Sequence, residues 1–322
     1  MSALLRLLVA ALLAVSFCEV AVAAPAKRRN APARKTVSRG SGGVVQSRFR
    51  KSPYVGAISI DADTGRVYFS RNADVQGYPA SVTKLMTAFI VLDDIKAGRL
   101  SLDDRVVASP VRTKRDEHLR QPSSLGLKAG QSMSVDEMLK AIMVKSANDA
   151  AIFLAERCSG SMEKFVARMN EKARSLGMTS TRFYNPNGLP PYKRGGSDDF
   201  NISTCRDLAK MSRALIKEHP EILKYTSLKK CCLEVPGQGR LEFTNHNNVM
   251  AEKDLNVINP DGTEAVDGLK TGFISAGGYS LALTGKRNGK RVIVVVLGSS
   301  TARERDNAAR TRLDDLLTAL DF

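Results

Sequence analysis

Two short apolar-rich runs open the globular part of the chain, at 54–60 and 66–69. Between them stands Asp61-Ala-Asp63-Thr-Gly65, a cluster of turn-forming residues, so the pattern predicts a β-hairpin. From about 81 to 225 the apolar spacing becomes helical. Ser134-Val-Asp-Glu137 is a capping box, and it opens an apolar helix running to about Lys145. Helical periodicity continues over 150–157 and 162–176, ended by Gly160 and Gly177, and again over 204–218, closed before Pro220. Strand patterning returns at 266–272, 279–285 and 291–298. Asn288-Gly289 between the last two is a hairpin signal, and 302–320 reads as a final helix. The sequence shows no internal repeat.

Strands at both ends of a helical middle imply one α+β domain over 53–322. The terminal strands join into a single antiparallel sheet, helices cover its faces, and the helical insert packs beside it. The chain has 322 residues and 43% apolar side chains, enough for a sizeable core. Trp is absent and aromatics are few, so that core is mainly aliphatic.

Residues 1–23 carry Arg6, a short apolar run from Leu7 to Val15, and small residues at Ala21-Val22-Ala23-Ala24. This is the layout of a secretory signal peptide. The apolar run is too short for a membrane anchor, and Glu19 interrupts its far end. Net charge is +16, but nine Lys or Arg and no acid fall within 25–51. Residues 24–52, rich in Pro, Ala, Gly and Ser, read as a basic disordered linker. In an exported protein its partners are anionic membrane headgroups or cell-wall polymers rather than nucleic acid, the alternative being a plain solvated linker.

Outside the leader the cysteines are Cys158, Cys205, Cys231 and Cys232. An exported chain permits disulfides, and bridges reaching Cys158 and Cys205 are more plausible than a strained vicinal pair. Free buried thiols are the alternative. His118, His219 and His246 show no metal-ligand spacing, and neither a metal nor a cofactor is expected.

Three short motifs carry chemistry. Ser81-Val-Thr-Lys84 places a hydroxyl and an amine three residues apart on one helical face, where they can meet. A Ser hydroxyl becomes a nucleophile when a neighbouring base takes its proton, and a desolvated Lys can be that base. Lys145-Ser-Ala-Asn148-Asp-Ala150 falls at a break between two helices, where Ser146 and Asn148 can project into a cleft. Gly268-Leu-Lys270-Thr271-Gly272 lies on a strand, where Gly allows another backbone to approach closely.

Ser-x-x-Lys, Ser-x-Asn and Lys-Thr-Gly, in that order, resemble the signature of penicillin-binding proteins and serine β-lactamases. Within that group the chain resembles the low-molecular-mass D-alanyl-D-alanine carboxypeptidases. The matching stretches are Ala80-Ser-Val-Thr-Lys-Leu-Met-Thr87, Ser146-Ala-Asn-Asp-Ala150, Asp267-Gly-Leu-Lys-Thr-Gly272 and Ala276-Gly-Gly-Tyr-Ser-Leu281. The resemblance implies a serine β-lactamase/transpeptidase-like fold and acyl transfer on peptidoglycan stem peptides, with β-lactams as covalent inhibitors. Ser81 is then the nucleophile and Lys84 its base. Ser146 relays a proton toward the leaving amine, with Lys270 supporting it. Asn148 holds Lys84 and the substrate amide. Thr271 binds the terminal carboxylate, Gly272 lines the substrate strand, and the backbone N–H groups of Ser81 and Phe273 form the oxyanion hole. A carboxylate-binding Arg after the last strand is matched by Arg305, with Arg303 second.

Three departures qualify the resemblance. Phe273 follows Lys-Thr-Gly where some relatives carry a polar side chain. The spacing from Asn148 to Lys270 is long, with extra residues in 188–199 or 231–262. No β-rich second domain or C-terminal membrane helix follows the last predicted helix, which suggests a soluble or tail-tethered enzyme. No Glu lies between Glu171 and Glu218, so a class A β-lactamase lacks its deacylating base. The remaining rivals are an endopeptidase cutting D,D-cross-links and a non-catalytic cell-wall binding protein.

Overall fold

The computed structural model describes residues 55–110, 123–190 and 199–320. The expected leader 1–23 and basic linker 24–52 lie outside them. Strand β1 (Gly56–Asp61) is buried throughout and turns into β2 (Val67–Arg71). Asp61 makes that turn, its carboxylate accepting from the backbone N–H groups of Asp63 at 2.9 Å and Thr64 at 2.7 Å. Strands β3 (Arg105–Val107) and β4 (Ser132–Ser134) pair with each other, as do β5 (Lys230–Val235) and β6 (Gly239–Thr244). The chain closes with β7 (Val266–Ile274), β8 (Gly278–Arg287) and β9 (Lys290–Ser299).

The main sheet runs β2-β1-β9-β8-β7 and is antiparallel throughout, with Ala57 opposite Val296 where the first and last strands meet. Strands from the two ends of the chain thus share one sheet, as the hydrophobic pattern predicts. β7 forms one edge, and that free edge borders the cleft described below.

The helical insert surrounds α1 (Lys84–Lys96), which continues a 3₁₀ turn at Ala80–Thr83. Leu85, Met86, Ala88, Phe89, Ile90, Val91 and Leu92 are all buried, so α1 is apolar nearly all round, as a core helix must be. The capping box forms as expected, with Ser134 Oγ accepting from Glu137 N at 3.2 Å and Glu137 Oε2 accepting from Ser134 N at 2.7 Å. It opens α2 (Val135–Lys140), which widens into a π turn at Ala141–Lys145. Next come α3 (Asn148–Ser159), α4 (Met162–Ser175), α5 (Cys205–Glu218) and the short α6 (Ile222–Thr226) and α7 (Asn248–Ala251). The last helix, α8 (Ala302–Ala319), lays Leu313 and Leu317 against Leu281, Leu283, Val294 and Val296 on the other face of the sheet. No helix among the described residues is long and apolar enough to cross a membrane.

Two features depart from expectation. The 231–262 stretch, for which the sequence pattern predicts no element, holds nearly all of the β5–β6 hairpin; its alternating burial, with Cys231, Leu233 and Val235 inward, is the period-two signal of a half-buried strand. The four cysteines are free thiols, not bridges. Cys231 and Cys232, as strand neighbours, point to opposite faces, one buried and one exposed. Cys205 is buried under Gly56, where a Cβ would sit 3.2 Å from its sulfur. Burial pushes the Cys158 thiol up to about 12 and raises that of Cys205 further.

Candidate active site

Ser81 sits in the 3₁₀ turn that leads into α1, and two glycines make room for that turn. A Cβ on Gly188 would lie 1.9 Å from the Ala80 carbonyl oxygen, and Gly188 has a φ of +84°. A Cβ on Gly272 would lie 2.5 Å from the Pro79 carbonyl oxygen and 3.0 Å from Ser81 N. Only glycine lets β7 and the 188 turn close on the serine from both sides.

Lys84, the first residue of α1, points back along the helix toward Ser81, as helical side chains do. It is fully buried. Its Nζ donates to Ser81 Oγ at 2.9 Å, to Asn148 Oδ1 at 2.8 Å and to the Asn187 carbonyl at 2.8 Å. An ammonium has three protons, and all three are engaged. Burial, and then the positive charge of Lys270, hold Lys84 well below the usual lysine range, against a smaller opposing pull from Asp149.

Ser146 and Asn148 are placed by the break between the π turn and α3. Ser146 takes a left-handed conformation, φ +60° and ψ +33°, which costs a non-glycine residue about 1–2 kcal/mol. It ends the π turn and leaves its side chain lining the cleft. Asn148 begins α3, and its N–H donates to the Ser123 carbonyl at 2.7 Å. The buried Asp149 carboxylate accepts from the backbone N–H groups of Leu125 at 2.9 Å and Gly126 at 2.9 Å, fixing the segment that presents Ser123 to the cleft.

Lys270 and Thr271 come from edge strand β7. Lys270 is buried, donates to the Thr271 carbonyl at 3.1 Å, and is pulled down to about 7 by burial and by Arg305. The motif residues meet around a cleft of about 340 Å³ whose wall includes Ser81, Ser146, Thr271, Gly272, Phe273 and Arg305. Lys84, Asn148 and Lys270 stand behind that wall.

The structure separates the two arginines. Arg305 is buried, lines the cleft, and donates through Nε to Asp306 Oδ1 at 2.7 Å. Asp306 is itself fully buried and accepts a second bond from Asn248 Nδ2 at 3.2 Å. Arg303 is exposed and pairs with Glu252 at 3.0 Å and Asp254 at 2.5 Å, tying the start of α8 to the segment around α7.

Sequence reading missed several members of the site. The Asn187 carbonyl, Gly188, Ser123, His246 and Asp306 belong to no recognised motif, and Tyr279, although inside the matched stretch 276–281, was given no role. Asn185-Pro-Asn-Gly188 does carry turn chemistry that marks a backbone poised for close approach. His246 lines the cleft, and burial together with the surrounding Lys270, Lys145, Arg305 and Lys84 charges lowers it to about 4. His219 lies elsewhere, with Asp93 and Glu218 at metal-ligand spacing. Between those carboxylates sits the Lys172 ammonium, 3.1 Å from Asp93 and 3.0 Å from Glu218, supplying the positive charge locally.

Fold and cleft together define a protein of the transpeptidase and serine β-lactamase class. The chain belongs to the D-alanyl-D-alanine carboxypeptidase family, Peptidase_S11, which matches residues 54–301. The carboxypeptidase DacF of Bacillus subtilis is 34% identical over 259 residues, covering 80% of this chain and 60% of DacF. The carboxypeptidase DacD of Francisella tularensis superposes with a TM-score of 0.69 at 28% identity, covering 80% of this chain and 68% of that one. Penicillin-binding protein D2 of Listeria monocytogenes, solved with cefotaxime bound, gives 0.65 at 31% identity, over 83% of this chain and 96% of that one. The chain spans about 60% of the length of the curated relatives it matches first, 60% of DacF and 59% of the Escherichia coli DacC.

Proposed function

We propose that the protein is an exported serine D-alanyl-D-alanine carboxypeptidase that removes the terminal D-Ala from peptidoglycan stem pentapeptides through an acyl-enzyme on Ser81. The observation that carries this reading is the buried Lys84 amine, 2.9 Å from the Ser81 hydroxyl and held from behind by Asn148 and Asn187. With its pKa lowered, Lys84 can take the Ser81 proton as Oγ attacks the carbonyl carbon of the D-Ala-D-Ala bond. Backbone N–H groups of Ser81 and Phe273 receive the developing oxyanion, a contribution worth about 10²–10³ in rate per donor. Ser146 relays the proton held by Lys84 to the leaving nitrogen, supported by Lys270, so free D-Ala departs and Lys84 is neutral again. Water then attacks the acyl-enzyme, again giving its proton to Lys84, and releases the shortened peptide.

Thr271 and Arg305 take the substrate's terminal carboxylate. A carboxypeptidase needs such a group and an endopeptidase does not, because only the former meets a free carboxylate beside the scissile bond. The buried, Asp306-held Arg305 therefore favours carboxypeptidase action. The same machinery accepts β-lactams as acylating inhibitors. The absence of Glu between Glu171 and Glu218 leaves no class A deacylating base, so the penicilloyl-enzyme should persist. Residues 1–23 serve as an export leader. The basic segment 24–52 follows it, with anionic headgroups or wall polymers as its partners.

Labelling with a fluorescent penicillin tests the acyl-enzyme. Wild type is expected to label stably and Ser81→Ala not at all; an unlabelled wild type refutes the reading. Product analysis on monomeric and cross-linked muropeptides then separates terminal D-Ala release from cross-link cleavage.

A further inference from the structure

Phe273 is 49% exposed, whereas its neighbours Gly272 and Ile274 on β7 are buried. A large aromatic ring is left facing water on the wall of a cleft that also carries the Ser81, Ser123, Ser146 and Thr271 hydroxyls and Arg305. It is not loosely held. The ring rests on Tyr279, its partner across the β7–β8 pair, with centroids 4.3 Å apart and planes at 32°. The Arg305 guanidinium carbon lies 6.0 Å from the Tyr279 centroid. Thr271, two residues before Phe273, shares its face of β7. Phe273, Tyr279, Thr271 and Arg305 all line the same cleft as Ser81.

This arrangement joins an apolar surface to two groups suited to a carboxylate. In a peptide ending in a free carboxylate, the carbon bearing that group also bears the terminal side chain. Once Thr271 and Arg305 anchor the carboxylate, the terminal side chain must emerge within a few ångströms of it, beside the aromatic pair.

We infer that Phe273 and Tyr279 form an apolar subsite for the side chain of the substrate's C-terminal D-residue, so that the enzyme favours terminal D-residues with larger apolar side chains over polar ones of equal size. The inference rests on the carboxypeptidase reading and names a substrate class within it. Covering the exposed ring with apolar atoms releases water from both surfaces, while a polar side chain placed there loses hydration without gaining a partner.

The test uses the purified protein and acylated peptides ending Lys-D-Ala-D-X, with X as Ala, Leu or Asn, following release of D-X. D-Leu and D-Asn are close in size, so their ratio reads polarity rather than volume. Wild type is expected to favour D-Leu over D-Asn by about tenfold in kcat/KM, the scale of hydrophobic-pocket discrimination. Phe273→Ser should bring that ratio toward one, and Phe273→Leu should keep most of it. Tyr279→Ser is the second variant, expected to lower the ratio from the other half of the pair, and penicillin labelling of Ser81 reports that each variant is folded. Equal kcat/KM for D-Leu and D-Asn in wild type, or an unchanged ratio in labelled Phe273→Ser and Tyr279→Ser, overturns the inference and leaves D-Ala release standing. No release from any peptide, D-Ala included, overturns the carboxypeptidase reading and the inference with it.

Discussion

The side-chain oxygen of Asn148 accepts a hydrogen bond from Lys84 Nζ at 2.8 Å across 64 positions of sequence. Asn148 Oδ1 and the Asn187 carbonyl can only accept, so both demand protons from Lys84 whatever its charge. A neutral amine has two protons and one lone pair. With both protons committed to those fixed acceptors, the lone pair is left toward Ser81, which becomes the donor. In the proposed reaction the two asparagines thus orient Lys84 as well as holding it.

Lys84→Arg keeps the positive charge and removes the lone pair, because a guanidinium does not deprotonate in proteins. The acylation rate with a fluorescent penicillin should fall by about 10²–10⁴, the usual worth of a positioned general base. A near-normal rate in this variant contradicts the role assigned to Lys84.

Acylation should decline as pH falls, since protonating Lys84 removes the acceptor for the Ser81 proton. The Lys270 charge is one cause of the depressed Lys84 pKa. Lys270→Met deletes that charge, so the ammonium form of Lys84 is penalised less and its pKa rises. The acid limb of the acylation profile should therefore move to higher pH, on top of any loss in maximal rate. A limb that stays in place or moves down shows that the two amines do not communicate.

Arg305→Ala should lower kcat/KM for peptides with a free terminal carboxylate by roughly 10–100-fold, the scale of a charge-assisted hydrogen bond. Asp306→Asn should give a smaller loss that appears mainly in KM, because it frees the guanidinium without deleting it. Arg303→Ala should change kcat/KM by less than about threefold, since its partners are exposed and such pairs contribute roughly 0–1 kcal/mol. Steady-state kinetics on one pentapeptide ranks all three, and a reversed order of the arginines refutes the assignment.

Asp149→Ala strands the buried Leu125 N–H and removes the acceptor of the half-buried Gly126 N–H bond. Thermal or urea unfolding should show a loss of about 2–4 kcal/mol, the cost of donors deprived of a charged acceptor. Acylation should slow as well, because the segment carrying Ser123 loses its anchor. Unchanged stability would mean that the carboxylate is not what holds that segment.

Much of this protein was legible along the chain. The capping box at Ser134 and Glu137, the Asn288-Gly289 hairpin and the helix ends at Gly160 and Gly177 are local: each depends on residues a few positions apart. The three motifs were legible for the same reason, since Ser81 and Lys84 meet within one helical turn and Lys270 and Thr271 are neighbours on one strand. Local rules did not reach the β5–β6 hairpin, whose alternation is short and interrupted by charges, or the state of the cysteines, which depends on which faces they turn to.

By itself the sequence determined which chemical groups exist, their order, and the secondary structure that presents them. Only the tertiary structure decided that the Asn187 carbonyl and Asn148 converge on Lys84, that Asp306 holds Arg305 at the cleft while Arg303 turns outward, and that Phe273 shares a wall with Tyr279. Asn148 and Asn187 lie 64 and 103 positions from Lys84, and which way Arg305, Arg303 and Phe273 turn is set by the packing around them rather than by local spacing. Desolvation, which holds Lys84 well below the usual lysine range, is a property of the packed interior and appears only when the chain has closed around it.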